Sequence, residues 1–298
     1  MIFHVISTGS DLSSHTPSVH LNGDLNADKN KDLTIALPDE ILLLILSYLN
    51  APALTSCQGV CRRWRVIVRG EQSAQQKIQQ TREVLDKIEQ ESRFIGSGAW
   101  KLLGGIGEVP PLPDNILEEL MKPCPFWNPK GTADGKKVKD THVLGLMVDK
   151  VGGKPVTINS IEECAKAPKE GVHATQYRHI WDQIHRDHGE TAVGKPYWAL
   201  MTADVLPGSR RKSRQDQLDM AAKFCYEAPT LLQAIAFNIV RYVSTGKWLF
   251  SFDPCTYTCC KEQSGGWKLV VGGFSSSGLF VSNFYDDCNV GVAALRKF

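Results

Sequence analysis

Several features that would assign a class of protein at once are missing from the sequence. No apolar run approaches the roughly 18 residues that a membrane-spanning helix needs. Residues 1–7 are too short, and lack the basic start, for a secretory signal. The net charge is only +2, which gives no broad attraction to nucleic acid or to an acidic membrane. We therefore expect neither of these partners.

The nine cysteines are odd in number and follow no regular spacing. Without a secretory signal, this usage favours reduced thiols and an intracellular, cytoplasmic location. Cys255, Cys259 and Cys260 are clustered, but no second Cys-x-x-Cys pair and no nearby histidine accompanies them. Cys259 and Cys260 would point to opposite faces of a strand, so structural cysteines are predicted rather than a metal site.

Two loops resemble phosphate-binding elements only in part. Residues 189–196 (GETAVGKP) end in Pro196, where a phosphate loop needs a Ser or Thr hydroxyl for magnesium, so a turn is predicted. Residues 207–214 (PGSRRKSR) form a basic loop before a helix. It is either a solvated turn with Ser213 as N-cap, or a nuclear-localisation-like patch or phosphate-binding turn.

Motifs for zinc binding and nucleophilic catalysis are incomplete. His179, His185 and His188 lack the i, i+4 pairing of a helical zinc site. Residues 273–278 (GFSSSG) do not have the spacing of a G-x-S-x-G elbow. We therefore predict no catalytic residue, cofactor or metal, and no enzymatic activity. A Cys/His pair that is distant in sequence stays open.

What the sequence does contain is a short stretch dense in apolar residues, 37–64 (LPDEILLLILSYLNAPALTSCQGVCRRW). Pro38 suits the first turn of a helix, where its missing N–H costs nothing. Asp39 and Glu40 place negative charge near that N-terminus, which the helix dipole favours. The apolar residues that follow cover more than one helix face. Because so short a unit is not stable alone, it requires a partner surface.

This stretch resembles an F-box, the helical module that docks onto the adaptor Skp1 of cullin-based ubiquitin ligases. The family pattern is Leu-Pro, an acidic residue two positions on, an Ile/Leu-rich helix, a leucine five residues beyond it, and Val-Cys-x-x-Trp. Here those positions are Leu37-Pro38, Glu40, residues 41–49, Leu54, and Val60-Cys61 with Trp64. An ordinary buried helical hairpin is the alternative.

The resemblance implies that the chain binds Skp1 and, through Skp1, a cullin ligase. Apolar side chains should carry the binding energy. The residues expected to contact Skp1 are Leu37, Pro38, Ile41, Leu42, Ile45, Leu49, Leu54, Val60, Cys61 and Trp64.

The whole chain is predicted to be an α+β multidomain protein. A small all-helical F-box precedes a mixed α/β domain with a mostly antiparallel C-terminal sheet. We expect a disordered tail at 1–34, the F-box at 35–70, a linker helix and Gly/Pro-rich connector at 71–135, and the second domain at 136–298. A bacterial export signal is the alternative for the Ser/Thr-rich tail.

Periodicity predicts the elements of the second domain. Helices are expected at 157–165 (capped by Asn159 or Ser160), 173–188, 214–226 and 229–243, and a short helix precedes them at 116–121. Strands are expected at 143–148, 198–205, 248–252, 257–260, 267–271, 279–284 and 290–295. The helix at 229–243 is apolar on most sides and should be central. The apolar positions expected to be mostly core are Trp198, Phe237, Ile239, Trp248, Phe250 and Phe280.

No WD, Kelch or leucine-rich period occurs, so the target-binding repeats of most F-box proteins are missing. The C-terminal half instead resembles a region of F-box-like proteins from chlamydia-related bacteria that live inside protists. The matching residues are 153–157, 177–181, 200–202, 205–210, 271–274 and 290–296.

Together these features predict an F-box substrate-recognition subunit that binds Skp1 through residues 37–64 and a target protein through residues 136–298. As a bacterial protein it would be an effector in the host cytoplasm, because bacteria lack Skp1. The alternatives are an F-box-tethered enzyme that modifies a host molecule and a plain eukaryotic F-box protein. A deep polar pocket with perturbed ionisable groups would favour the enzyme.

Overall fold

The computed structural model describes residues 62–104, 107–127, 135–168, 173–284 and 290–298. The chain divides into two units, Met1–Ser73 and Ala74–Phe298. Most of the predicted tail and F-box lies outside the described residues, so the fold below is that of the second unit, with the helix that enters it.

This unit combines helices with mainly antiparallel strand pairs, which makes it an α+β fold. The helices are α1 (Arg62–Gln90), α2 (Ser97–Lys101), α3 (Ile116–Met121), α4 (Val138–Thr141), α5 (Ile158–Lys166), α6 (Asp182–His188), α7 (Arg214–Ala222) and α8 (Leu231–Thr245). The strands are β1 (Phe94–Ile95), β2 (His142–Met147), β3 (Lys150–Val151), β4 (Lys154–Pro155), β5 (Tyr177–Ile180), β6 (Tyr197–Thr202), β7 (Tyr257–Ser264), β8 (Trp267–Ser275), β9 (Gly278–Phe284), β10 (Val290–Gly291) and β11 (Leu295–Lys297).

The strands form two larger sheets and one hairpin. The first sheet has the order β1-β2-β6-β11, with β2 and β11 antiparallel to β6 and β1 parallel to β2. The second has the order β10-β7-β8-β9-β5, an antiparallel meander flanked by two parallel edge strands. The predicted α+β class with antiparallel C-terminal strands is confirmed for this part of the chain.

Helix α8 packs against strands of both larger sheets, β1 and β2 of the first and β7 and β8 of the second. Thr230 caps it, since the Gln233 N–H donates to Thr230 Oγ1 at 3.2 Å and the Thr230 N–H donates to Gln233 Oε1 at 2.7 Å. Gly246 ends it in the left-handed region, with φ 69°, where glycine carries no steric cost. Gly145 leaves space for the Phe237 ring, which a Cβ there would overlap. The predicted central helix is confirmed.

The predicted helix at 173–188 is wrong in its first half. Residues 177–180 form β5, which pairs with β9 at the edge of the second sheet, and only residues 182–188 are helical. Helical spacing of Tyr177, Ile180, Trp181 and Ile184 suggested one helix, but strand pairing outweighs that pattern.

Two smaller predictions also need correction. The cap of α5 is Thr157, whose Oγ1 accepts the Ser160 N–H at 3.1 Å, rather than Asn159 or Ser160. Residues 248–252 form a loop with a single bridge at Ser251 instead of a strand. Of the predicted core residues, Trp198, Phe237, Ile239 and Phe250 are buried, Phe280 is half-buried, and Trp248 is 41% exposed.

The predicted connector at 71–135 is not a loose linker in its described part. Phe94–Ile95 pairs with β2, and the Trp100 indole is fully buried with its Nε1–H donating to the Leu146 carbonyl at 2.7 Å. The short helix Ile116–Met121 is confirmed, and it buries Ile116 and Leu120 in the same core. A boundary at residue 136 would therefore cut through the core of the Ala74–Phe298 unit.

Helix α1 extends further towards the N-terminus than the predicted linker helix. From residue 75 onward its packing follows a narrow stripe, with Ile88 buried and Val84 and Leu85 packed against the core. Ile78 is 56% exposed, so the stripe covers only the last turns. The predicted exposed helix is confirmed for residues 75–90.

Candidate functional site

Only one of the predicted Skp1-binding residues falls on a described element. Trp64 belongs to α1, and its side chain is outside the described part. The other predicted Skp1 contacts lie outside the described residues: Leu37, Pro38, Ile41, Leu42, Ile45, Leu49, Leu54, Val60 and Cys61. The predicted Skp1-binding surface therefore lies almost entirely outside the described residues.

A cavity of about 460 Å³ lies where β6 begins, α8 begins and β11 ends. Apolar groups from Met147, Val193 and Leu232 line it together with the polar side chains of Lys195, Tyr197, Gln233, Glu262 and Lys297. Ligand cavities in proteins hold roughly 300–1,000 Å³ and combine apolar walls with a few polar groups. The size and lining therefore suit a small ligand or a side chain of a partner.

The polar groups of this cavity hold one another in place. Gln233 Nε2 donates to the Tyr197 hydroxyl at 2.6 Å, and the Lys297 ammonium lies 5.3 Å from the centre of the Tyr197 ring. Glu262 Oε2 accepts the Leu231 N–H at 2.8 Å, so its carboxylate is engaged by the start of α8. Burial raises the pKa of Tyr197. The raised pKa favours the protonated hydroxyl, which accepts the hydrogen bond from Gln233.

A second cavity, of about 530 Å³, lies beside the stacked rings of Phe94 and Trp198, whose centroids are 5.8 Å apart. Leu102 and Leu112 add apolar walls, and Glu89 is the one charged residue among the described residues that line it. This second cavity would therefore contact a ligand mainly through apolar groups.

The loop that resembles a phosphate-binding motif does not fold as one. Strand β6 begins at Tyr197 directly after Pro196, where a phosphate loop requires a helix N-terminus. Gly194 and Lys195 instead line the mouth of the 460 Å³ cavity. The sequence reasoning identified this turn but not the cavity beside it.

Two of the three clustered cysteines are buried in separate cores. Cys260 belongs to the main core and Cys259 to a smaller core on the other face of the sheet, as strand alternation predicts. Burial raises the pKa of both thiols. Within the described ranges no group of three or more His, Cys, Asp and Glu side chains is placed to hold a metal ion.

The basic loop at 207–214 is tied to the second sheet. Ser213 is the N-cap of α7, since its Oγ accepts the Asp216 N–H at 3.1 Å. Arg210 donates to Thr256 Oγ1 at 3.2 Å, and Arg214 donates to the Lys261 carbonyl. The carboxylate of Asp216 lies at the start of α7, where it accepts a hydrogen bond from Ser213 Oγ at 2.7 Å. A negative charge therefore occupies the place that a phosphate would take. These contacts favour the solvated-turn interpretation.

The comparison with protein families gives one finding for the N-terminal segment. The model of the F-box-like family matches residues 34–74, which contain all ten predicted Skp1-binding residues. An F-box-like domain suggests a Skp1-binding adaptor in ubiquitin ligase complexes. Comparison with curated proteins and with solved structures found no match.

No helix within the described ranges combines the length and the apolar character that a membrane crossing demands.

Sequence reasoning missed the 460 Å³ cavity because its polar groups come from distant segments. Tyr197 and Gln233 form a hydrogen bond although they are 36 positions apart in the sequence. Lys297 belongs to the last strand, β11. The only local signal was the capping box of Thr230 and Gln233, which marks a helix start rather than a site.

Proposed function

We propose that the chain is an F-box substrate-recognition subunit of a Skp1-cullin-type ubiquitin ligase. The F-box-like match over residues 34–74 is the observation that supports this function. Residues 37–64 would bind Skp1, and the unit Ala74–Phe298 would hold a target protein. The ligase then raises the local concentration of the target near the ubiquitin donor, so the chain contributes by proximity and needs no chemistry of its own.

The energy of Skp1 binding should come from apolar side chains that the short segment cannot bury by itself. Large apolar residues at the centre of an interface act as hot spots, and truncating one commonly costs over about 1 kcal/mol. Leu37, Pro38 and Trp64 are the expected hot spots, because they are the fixed positions of the pattern.

A role in binding fits the chemistry of the second unit better than catalysis does. Burial raises the pKa of Tyr197, which lines the 460 Å³ cavity. A tyrosine with a raised pKa is a poorer nucleophile and base at neutral pH. The cavity therefore supports recognition, and the F-box-tethered enzyme is the weaker alternative.

The setting we propose is a eukaryotic host cell. We base this setting on the sequence-based prediction that the C-terminal half is similar to F-box-like proteins of chlamydia-related bacteria, since bacteria have no Skp1 to bind. An effector that recruits the host ligase accounts for both features.

Co-expression with Skp1 tests the adaptor function. A Leu37→Ala/Pro38→Ala variant should lose Skp1 co-purification, because it removes two fixed apolar contacts. The chain offers a matched control, since Leu112-Pro113-Asp114 repeats the Leu-Pro-Asp of residues 37–39 outside the F-box-like segment.

Leu112→Ala/Pro113→Ala should therefore retain Skp1. Equal retention by both variants would contradict the proposed function, provided that circular dichroism shows both chains folded.

A further inference from the structure

Two of the most exposed large apolar side chains share one loop. Trp248 is 41% exposed and Phe252 is 49% exposed, and both follow the end of α8. Isolated exposed apolar residues are normal in proteins, whereas adjoining ones mark interaction sites. The neighbours of these two rings therefore decide whether they form a surface.

Trp248 and Phe252 are each linked to the pair of Tyr242 and Phe274, the first through its ring and the second through its backbone. Trp248 stacks on Tyr242 with centroids 6.3 Å apart and planes 11° apart. Tyr242 in turn lies 5.0 Å from the ring of Phe274, whose carbonyl accepts the Phe252 N–H at 2.9 Å. We call Arg178, Tyr242, Trp248 and Phe252 the aromatic surface.

Arg178 joins this surface to the edge strand β5. Its guanidinium carbon lies 5.3 Å from the centre of the Phe252 ring and 5.9 Å from that of Phe280. The guanidinium is held over aromatic rings rather than by a carboxylate. Trp, Tyr and Arg are the residues most enriched at the energetic centres of protein interfaces.

The loop that carries Trp248 is held from both sides. Arg241 Nη1 donates to the Trp248 carbonyl at 2.6 Å, and its Nε donates to the Ser92 carbonyl at 2.8 Å. The buried Phe250 donates its N–H to Asn238 Oδ1 at 3.2 Å. A surface held in advance loses less conformational entropy when a partner binds.

The charge around these rings is predominantly positive. In the described parts of the chain, Arg178, Arg241 and Lys247 make no ion pair with a carboxylate. The acidic residue in the loop is Asp253. A partner with negative charge next to an apolar side chain would complement this arrangement.

We propose that the aromatic surface binds an acidic polypeptide segment that carries a large apolar side chain. Trp248 and Phe252 contact the apolar group, and Arg178 and Lys247 pair with the flanking carboxylates. We identify the bound segment as part of the ubiquitination target, and this identification rests on the proposed adaptor function. The binding chemistry itself does not depend on that function.

Single-stranded nucleic acid also combines negative charge with flat apolar groups, but it fits less well. Such sites need a groove of cations that follows the backbone, with free ring faces on which bases stack. Here Tyr242 covers one face of Trp248, Arg178 covers one face of Phe252, and Asp253 interrupts the positive charge.

Fluorescence anisotropy on the full chain tests the proposal. The probe is a fluorescein-labelled peptide in which glutamate alternates with leucine and tryptophan, and its counterpart has lysine in place of glutamate. We expect the acidic peptide to bind at least about tenfold more tightly than the lysine peptide. Arg178→Glu and Trp248→Ala should each weaken its binding about tenfold, and Phe252→Ser should act in the same direction.

The chain provides a matched control for both charge and ring. Phe224 is 40% exposed, and Lys223 lies 5.8 Å from the centre of its ring. Lys223→Glu and Phe224→Ala should leave the affinity unchanged. Equal binding of the two peptides, no binding of either, or an equal loss in the control variants would overturn the proposal. Tighter binding of a labelled oligothymidine, lost in Trp248→Ala, would overturn it in favour of nucleic acid.

Skp1 co-purification is measured on the same variants and separates the two proposals. Arg178→Glu and Trp248→Ala should retain Skp1, whereas Leu37→Ala/Pro38→Ala should lose Skp1 but still bind the acidic peptide. Either proposal can thus fail while the other holds.

Discussion

Residues 37–64 and the unit Ala74–Phe298 differ in how much of their apolar surface they can bury by themselves. The sequence of the short segment predicts apolar residues on more than one helix face, with too few residues to cover them. The larger unit buries its apolar residues between two sheets and α8, with Trp100, Phe237 and Phe250 at 0–1% exposure. We therefore expect the first to need a partner for its stability, and the second to offer a partner a preformed surface.

Two tryptophans of the second unit show the same difference between buried and exposed apolar surface. Trp100 is fully buried, while Trp248 is 41% exposed. The first stabilises the unit, and the second remains available for binding. Mutations at the two positions should therefore separate folding from recognition.

The largest expected effect is that of Trp100→Ala. The change removes a fully buried indole and leaves the Leu146 carbonyl without its donor, so the free energy of unfolding should fall by about 3–5 kcal/mol. Trp248→Ala, the paired control, should cost under about 1 kcal/mol. Urea denaturation measures both. Similar losses at the two positions would contradict the division between core and surface tryptophans.

A smaller effect should appear in the pH dependence of stability. Burial lowers the pKa of His142 from 6.5 to about 3, so the folded state keeps the ring neutral while the unfolded state takes up a proton below about 6.5. Stability is therefore lost as pH falls from about 6.5 towards 3, by about 1.4 kcal/mol for each pH unit and about 2 kcal/mol at pH 5.

His142→Asn tests this expectation, because an amide can occupy the position of Nδ1 without titrating. Denaturation curves between pH 7 and pH 5 should show a smaller loss for the variant than for the wild type. If both lose the same free energy over this range, His142 does not control the acid sensitivity of the unit.

The smallest effect concerns the start of the central helix. Thr230→Ala removes the acceptor of the Gln233 N–H and should lower the free energy of unfolding by about 1 kcal/mol. Thr230→Ser keeps the hydroxyl and should cost less. A melting-temperature comparison of the two variants measures the difference, and an equal decrease would mean that the methyl group matters more than the cap.

The parts of this unit that the sequence predicts are those with a local signal. Helix α8 was predicted from its continuous apolar residues, and β2 from a short buried run with an error of one residue at each end. The F-box-like segment was predicted because its pattern depends on spacing within 28 residues, 37–64. Each of these signals is contained in one stretch of chain.

The parts that the sequence did not predict depend on partners far along the chain. Tyr177–Ile180 is a strand because β9, about a hundred residues later, offers it an edge. Trp100 lies among glycines that suggested a loop. It is nevertheless buried, and its indole N–H donates to the carbonyl of Leu146. Trp248 was expected in the core because it is large and apolar, and its exposure depends on how the loop after Gly246 leaves α8.

The affinity of the full chain for purified Skp1, measured by isothermal titration calorimetry, tests the central claim most directly. We predict one-to-one binding with a dissociation constant of about a micromolar or tighter, lost in Leu37→Ala/Pro38→Ala and kept in Leu112→Ala/Pro113→Ala. No binding by the wild type, or undiminished binding by the first variant, would contradict the claim that residues 34–74 are the Skp1-binding module.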